Sequence, residues 1–86
     1  MKKFEPIFDD EILIFQNEKI WVSFTKNHEI CKGEGVVMLE NENNESFGFC
    51  VNEIDDPEVT DILQSIYGIN KEQIINALKD KKLWQK

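Results

Sequence analysis

Arginine is absent from the 86-residue sequence, and histidine occurs once, as His28. Without arginine the chain lacks the guanidinium fork that pairs with a phosphate or a guanine through two hydrogen bonds at once. Lysine supplies all ten basic side chains, against seventeen aspartates and glutamates, so the net charge is −7. This balance disfavours a general polyanion-binding surface and makes nucleic acid an unfavourable partner.

Cysteine is scarce as well, with only Cys31 and Cys50. Small secreted domains that rely on disulfides commonly carry four or more cysteines, so the sequence favours reduced cysteines and a cytoplasmic location. The longest purely apolar run, residues 12–15, is far shorter than the roughly 18 residues that a membrane-spanning helix needs. No apolar run of signal-peptide length follows the first residues. We therefore expect a cytoplasmic protein that does not engage a membrane.

Hydrophobic residues make up 41% of the sequence, with six phenylalanines and two tryptophans, which is enough for one packed core. Charge divides the chain into two parts. Residues 1–56 carry five lysines and thirteen acidic residues, a net −8, whereas residues 57–86 carry five lysines and four acidic residues, a net +1. Strand-like periodicity gives way to helix-like periodicity at the same boundary. We predict a single domain, residues 1–86, with an acidic β-rich part followed by a two-helix part.

Four strands are predicted in the first part. Residues 11–15 form an apolar run typical of a strand that is central or covered on both faces. Residues 20–25 alternate between an apolar face and a second face, as a half-buried strand does. Residues 36–39 and 47–52 complete the set, on either side of a polar hairpin tip at residues 41–45. Consecutive hairpins of this kind favour a four-stranded antiparallel meander.

Two helices are predicted in the second part. Asp56 is the expected N-cap of the first, Pro57 suits its first turn, and Gly68 ends it. Asn70 and Gln73 resemble a capping box that begins the second helix at the next residue. The predicted buried stripes are Val59, Ile62, Leu63, Ile66 and Tyr67 on the first helix, and Ile74, Ile75 and Leu78 on the second, with Leu83 and Trp84 folding back. The predicted fold class is α+β, order ββββαα, with the helical hairpin packed on one face of the meander.

Few residues could carry catalytic or metal chemistry. His28, Cys31 and Cys50 could join a carboxylate as zinc ligands, and His28 could activate a Cys31 thiolate. Cys50 falls within a predicted strand and lacks a second ligand nearby, so it is more typical of a small core residue. We predict no catalytic residue, no cofactor and no metal site. Whether the histidine and the two cysteines lie close in space is left open by the sequence.

Acidic residues concentrate in the predicted turns, where they would project to solvent. Such charges keep many proteins soluble, but they also steer association with a basic partner. Trp21 lies on the strand face opposite the apolar one, so it would be exposed if the helices cover one face only. The residues that we expect to bind a protein partner are Trp21, Glu40, Glu42, Glu45, Asp55 and Asp56. Exposed strand edges would also permit a homodimer.

The favoured function is therefore a small, acidic, non-enzymatic protein-interaction module that binds a basic protein. A composition rich in lysine, asparagine, isoleucine and glutamate is typical of AT-rich coding sequences, so we expect a bacterial or phage source. Small acidic antagonists of that origin include immunity proteins and phage-encoded inhibitors. By this analogy of size and charge, the chain would be a regulator or inhibitor.

Residues 63–84 resemble a helix-turn-helix unit, with Gly68 in the turn and apolar positions on both helices. The resemblance implies that the second helix reads DNA in the major groove. The residues that would face DNA are Lys71, Gln73, Asn76 and Lys79. Glu72 and Asp80 would then lie near phosphates, and the strands precede the helices, opposite to the common winged order. A DNA-binding regulator is the alternative function, and a helix pair that packs on the sheet is the simpler interpretation.

Overall fold

The computed structural model describes residues 9–26, residue 31 and residues 34–84. The strands are β1 (Ile12–Gln16), β2 (Ile20–Thr25), β3 (Val36–Asn41) and β4 (Ser46–Cys50), and the helices are α1 (Pro57–Ser65) and α2 (Lys71–Asp80). One turn of 3-10 helix, Val51–Glu53, connects β4 to α1. The predicted α+β arrangement, ββββαα, is confirmed.

The four strands form one antiparallel sheet in the order β1-β2-β3-β4. The prediction that the first strand is central or covered on both faces is wrong, because β1 is an edge strand. The apolar run of β1 is explained by a bulge. Leu13 pairs with Ser23 and Phe15 pairs with Val22, so Ile14 is an extra residue between two paired positions. The bulge directs Ile14 and Phe15 to the same side of the sheet, and both pack on the core.

The hydrophobic core lies between one face of the sheet and the two helices. Alternate residues of β2 and β3 supply one side of it, since period-two alternation directs them to the same face. The buried residues of the helices are Val59 and Leu63 on α1, and Ile74, Ala77 and Leu78 on α2. Ile66 departs from the predicted stripe, with 46% of its surface exposed. It is the C-cap of α1, where helical periodicity ends, so the spacing no longer directs it inward.

The predicted starts of both helices are confirmed by local hydrogen bonds, whereas α1 ends at Ser65, before the predicted stop at Gly68. Asp56 accepts from the Glu58 N–H at 2.9 Å, which caps α1. Asn70 and Gln73 form the reciprocal capping box of α2, with both hydrogen bonds at 3.0 Å. Gly68, which follows α1, adopts the left-handed conformation with φ +67°. Beyond α2 the chain folds back as predicted, and Leu83 and Trp84 pack on the core.

Both cysteines were expected to be reduced, but they form a disulfide, Cys31–Cys50, with a Cα–Cα distance of 5.6 Å. The sheet register explains how residues nineteen positions apart in sequence meet. Thr25, Val36 and Cys50 lie side by side across β2, β3 and β4. Cys31 belongs to the connection that leaves the sheet at Thr25 and returns at Val36, so it is held beside this row. No local sequence pattern signals this pairing, because it depends on where the connection between β2 and β3 lies relative to β4.

Within the parts of the chain that the structure describes, neither helix has the length and the apolar character needed to cross a membrane.

Candidate functional site

Two β-turns meet at one end of the sheet, which we call the hairpin end: residues 17–19 of the first turn and residues 40–45 of the second. Ile20 of β2 pairs with Asn41 of β3, which places the two turns beside each other. The Glu42 N–H donates to the Lys19 carbonyl at 3.1 Å and joins the turns directly. The hairpin end is therefore one surface rather than two separate loops.

Asparagine side chains define both turns. Asn17 Oδ1 accepts hydrogen bonds from the N–H groups of Lys19 and Ile20, at 2.8 and 3.0 Å. Asn41 Oδ1 accepts from the N–H groups of Asn43 and Glu45, at 3.0 and 2.9 Å. Such contacts mimic a backbone turn and supplement the backbone–backbone bonds of these turns. Because the asparagines satisfy the turn N–H groups, the glutamate carboxylates of the hairpin end are not needed as caps.

Tyr67 joins the helical part of the chain to the hairpin end. Its side chain is buried, and the hydroxyl donates to the Glu45 carbonyl at 3.0 Å. The pKa of Tyr67 is raised above its ordinary value, first by burial and then by the negative charges of Glu45 and Glu40. Two of the predicted partner-binding carboxylates thus act on the same buried hydroxyl.

The predicted residues Glu40, Glu42 and Glu45 all belong to the hairpin end and are exposed. Glu18 of the first turn is exposed there too. Glu45 also accepts a hydrogen bond from Asn41 Nδ2 at 2.9 Å through one carboxylate oxygen, which limits its rotamers. Lys19 is exposed in the same region and offsets one of these charges. The hairpin end therefore presents a negatively charged surface with a fixed backbone.

Asp55 and Asp56, also predicted to bind a partner, lie beyond the other end of β4. We call residues 50–57 the exit end. Asp56 caps α1, and Asp55 Oδ1 forms a salt bridge with Lys71 Nζ at 2.7 Å. Glu53 Oε1 accepts from the Cys50 N–H at 2.9 Å. All three carboxylates have partners within the chain, so the exit end is a set of structural contacts.

Trp21 was expected to be exposed, and this expectation is wrong, because only 8% of its surface is accessible. It lies on the sheet face away from the helices, as predicted, but β2 is an interior strand. Neighbours on both sides, Gln16 of β1 and Glu40 of β3, flank it. Ser23 and Thr25, which follow on the same face, are buried too. The second face of the sheet is therefore buried along β2, and Trp21 does not contribute to an exposed surface.

The residues of the alternative DNA-binding prediction are divided between two roles. Lys71 pairs with Asp55, whose hydrogen bond and charge raise the pKa of this lysine. Gln73 uses its side chain in the capping box of α2. Lys79 is exposed on α2, and Asn76 is exposed on the same helix. The structure thus commits two of the four residues to local contacts and leaves the other two at the surface of α2.

The disulfide removes both thiols from the possible chemistry of His28, Cys31 and Cys50. Neither a zinc thiolate nor a cysteine nucleophile is compatible with a closed disulfide. Among the described residues, no group of three or more histidine, cysteine, aspartate or glutamate side chains could hold a metal ion. His28 lies outside the described residues.

Sequence reasoning missed the roles of Asn17, Asn41 and Tyr67 at the hairpin end. A signal was available for the asparagines, since each lies in a polar segment between two predicted strands. No such signal marks Tyr67, whose partner is 22 residues away. Compared with known proteins, the chain matches no family model, no curated protein and no solved structure.

Proposed function

We propose that the chain is a small, non-enzymatic protein-interaction module that binds a basic protein partner through the hairpin end. The supporting observation is the bond from the Glu42 N–H to the Lys19 carbonyl, which fixes the two turns as one surface of net negative charge. Glu40, Glu42 and Glu45 are exposed on this surface. A regulator or inhibitor of bacterial or phage origin is the biological role that fits such a module.

Backbone rigidity makes this acidic surface suited to binding. A partner's lysine or arginine side chains meet carboxylates whose backbone is already fixed by Asn17 and Asn41, so little backbone ordering is needed on association. Charges at the rim of an interface mainly increase the association rate by steering the encounter. We therefore expect the carboxylates to set how fast the partner binds, and salt to slow that step.

A charge-matched pair of variants tests the proposal. Glu40→Gln, Glu42→Gln and Glu45→Gln remove three charges from the hairpin end, and a glutamine at position 45 can still accept from Asn41. Asp61→Asn, Glu72→Gln and Asp80→Asn remove three charges from exposed positions on the helices, so both triple variants change the net charge from −7 to −4. A lysine-rich synthetic peptide, and any basic protein crosslinked to the chain in the native cell, serve as probes in stopped-flow association measurements.

The hairpin-end variant should associate about tenfold more slowly at low salt, whereas the helix variant should stay within about twofold of the original chain. The difference should shrink as ionic strength rises. Equal slowing of both variants would mean that net charge alone attracts the probe, and the proposed surface would be rejected.

The cytoplasmic location stays a separate proposal, and the Cys31–Cys50 disulfide is an observation against it, since the expectation rested on reduced cysteines. Disulfides persist mainly in oxidising compartments. Alkylation of thiols in intact cells, followed by mass spectrometry, measures the oxidation of Cys31 and Cys50. Largely reduced cysteines would support a cytoplasmic location, and a fully formed disulfide would oppose it.

A further inference from the structure

The register of the sheet fixes which backbone groups at the outer edge of β4 have no partner among the described residues. The Asn41 N–H donates to the Glu45 carbonyl at 3.2 Å, and the Val51 N–H donates to the Gly35 carbonyl at 3.1 Å. These two bonds lie at opposite ends of the β3–β4 ladder. Residues 41 and 45, and residues 35 and 51, are therefore hydrogen-bonded pairs of the antiparallel register. Between them, non-hydrogen-bonded and hydrogen-bonded pairs alternate along the two strands.

Alternation directs the backbone groups of Phe47 and Phe49 toward β3, and those of Ser46, Gly48 and Cys50 away from it. The Cys50 N–H is already bonded to Glu53. Ser46 and Gly48 are exposed, and within the described residues nothing pairs with their outward N–H and C=O groups. The edge therefore offers two donors and two acceptors, centred on Phe47.

The opposite edge of the sheet is protected in two ways. The bulge at Ile14 breaks the regular ladder of β1 and increases its local twist. Helix α2 also packs against β1. Natural sheets commonly use both devices to prevent an edge from pairing with another chain. No comparable device interrupts β4 between Ser46 and Cys50.

We propose that a second copy of this chain pairs with the edge of β4. The two strands run antiparallel, with the twofold axis at Phe47, so that Ser46 of each copy lies opposite Gly48 of the other. Every free N–H of one copy then meets a free C=O of the other. A twofold rotation about Phe47 brings the donors of one copy opposite the acceptors of the other. A twofold interface requires a surface that is complementary to itself in this way. The inference does not depend on the proposed function, since neither Ser46 nor Gly48 carries a charge.

The side chains of β4 also favour a second copy of the chain as the partner. The strand Ser46–Cys50 contains no charged residue, although the chain as a whole carries a charge of −7. The strand itself therefore adds no charge repulsion, whereas the acidic hairpin end of each copy comes beside the acidic exit end of the other, so dimerisation should strengthen as ionic strength rises. Phe47, at the proposed axis, is half-buried and lies 5.7 Å from Phe49, centroid to centroid. The pair at the axis would be of the non-hydrogen-bonded type, in which opposed side chains approach most closely, so the two Phe47 rings would meet.

The test compares Gly48→Pro with Gly48→Ala by sedimentation velocity, over concentrations up to about 1 mM, where weak association becomes visible. Proline removes the outward N–H, which β4 does not need for pairing with β3. Alanine keeps that N–H, and its Cβ would meet Met38 Cγ at an ordinary 3.6 Å. The original chain and Gly48→Ala should dimerise alike, within about twofold, whereas Gly48→Pro should dimerise at least about tenfold more weakly.

Amide hydrogen exchange of the original chain decides the matter if Gly48→Pro fails to fold. The Ser46 and Gly48 amides should exchange more slowly at high protein concentration than at low concentration, and the Phe47 amide, bonded within the sheet, should not change. A chain that stays monomeric throughout, a dimer that persists in folded Gly48→Pro, or concentration-independent exchange at both amides would each overturn the proposal. The Glu-to-Gln variants of the hairpin end leave Ser46 and Gly48 intact, so the two proposals fail independently.

Discussion

The two ends of β4 are both rich in carboxylates, yet the carboxylates have different roles. At the exit end, Glu53 and Asp56 accept backbone N–H groups and Asp55 pairs with Lys71. At the hairpin end, asparagine side chains accept the turn N–H groups instead, and exposed glutamates surround them. The residue that satisfies the turn N–H groups therefore decides whether a neighbouring carboxylate is used as a backbone cap.

The largest effect should come from the exit end, where the disulfide closes the segment between Cys31 and Cys50. Replacing both cysteines by serine should lower the free energy of unfolding by about 3 kcal/mol, because the unfolded chain regains the entropy of an open loop. Urea denaturation of the variant measures this change. Reduction of the original chain should give the same loss. A loss below about 1 kcal/mol would show that the closed loop contributes little to stability.

A single carboxylate of the exit end should have the next largest effect. Asp56→Ala leaves the Glu58 N–H without its cap and should cost about 1 kcal/mol. Asp61→Ala, an exposed position on the same helix, is the control and should cost clearly less. Thermal unfolding of both variants at neutral pH gives the comparison. Equal costs would indicate that the cap contributes nothing beyond helix propensity.

The corresponding change at the hairpin end should be close to neutral. Glu42→Gln removes an exposed carboxylate from a turn whose N–H groups are bonded elsewhere, so the free energy of unfolding should change by less than about 0.5 kcal/mol. The same denaturation experiment checks it. A cost as large as that of Asp56→Ala would remove the distinction between the two ends of β4.

Most of the fold could be predicted because its signals are local. The N-caps Asp56 and Asn70 act on N–H groups two and three residues ahead, so short sequence patterns contain the whole interaction. The bulge at Ile14, the burial of Trp21 and the disulfide depend on strand register and on packing in three dimensions rather than on a local pattern. The predicted meander already gives the observed strand order, with β1 at an edge, but local periodicity reveals neither a bulge nor the burial of the second sheet face, so the expectations for β1 and Trp21 were wrong.

The candidate site also combines features that the sequence predicts with features that it does not. Placing Glu40, Glu42 and Glu45 around one hairpin required only recognition of the turn. The bond between Glu42 and Lys19 could not be anticipated, since it depends on β2 and β3 being paired in one particular register. Asp55 and Asp56 were predicted to bind a partner from their charge alone, and charge does not reveal a salt bridge to a residue sixteen positions away.

The smallest expected effect concerns the electrostatic potential at the hairpin end, and Tyr67 reports it. This is the only tyrosine of the chain, so the near-ultraviolet absorbance of its phenolate gives its pKa directly. Glu40→Gln with Glu45→Gln should lower the pKa of Tyr67, because two negative charges that disfavour the phenolate are removed. The pKa should stay above its ordinary value of about 10, since burial is the larger cause. Glu42→Gln is the matched control at the same end and should leave this pKa nearly unchanged.

The sign of the linked stability effect follows from the same shift. A phenol whose pKa is raised by folding stabilises the folded chain at pH values below its unfolded pKa, and this contribution is lost as pH rises through the folded pKa. In the variant that lacks the Glu40 and Glu45 charges, the loss should be complete at a lower pH than in the original chain. A Tyr67 pKa that does not respond to the double substitution would show that the two carboxylates do not act together on this surface, which would weaken the case for the hairpin end as a binding site.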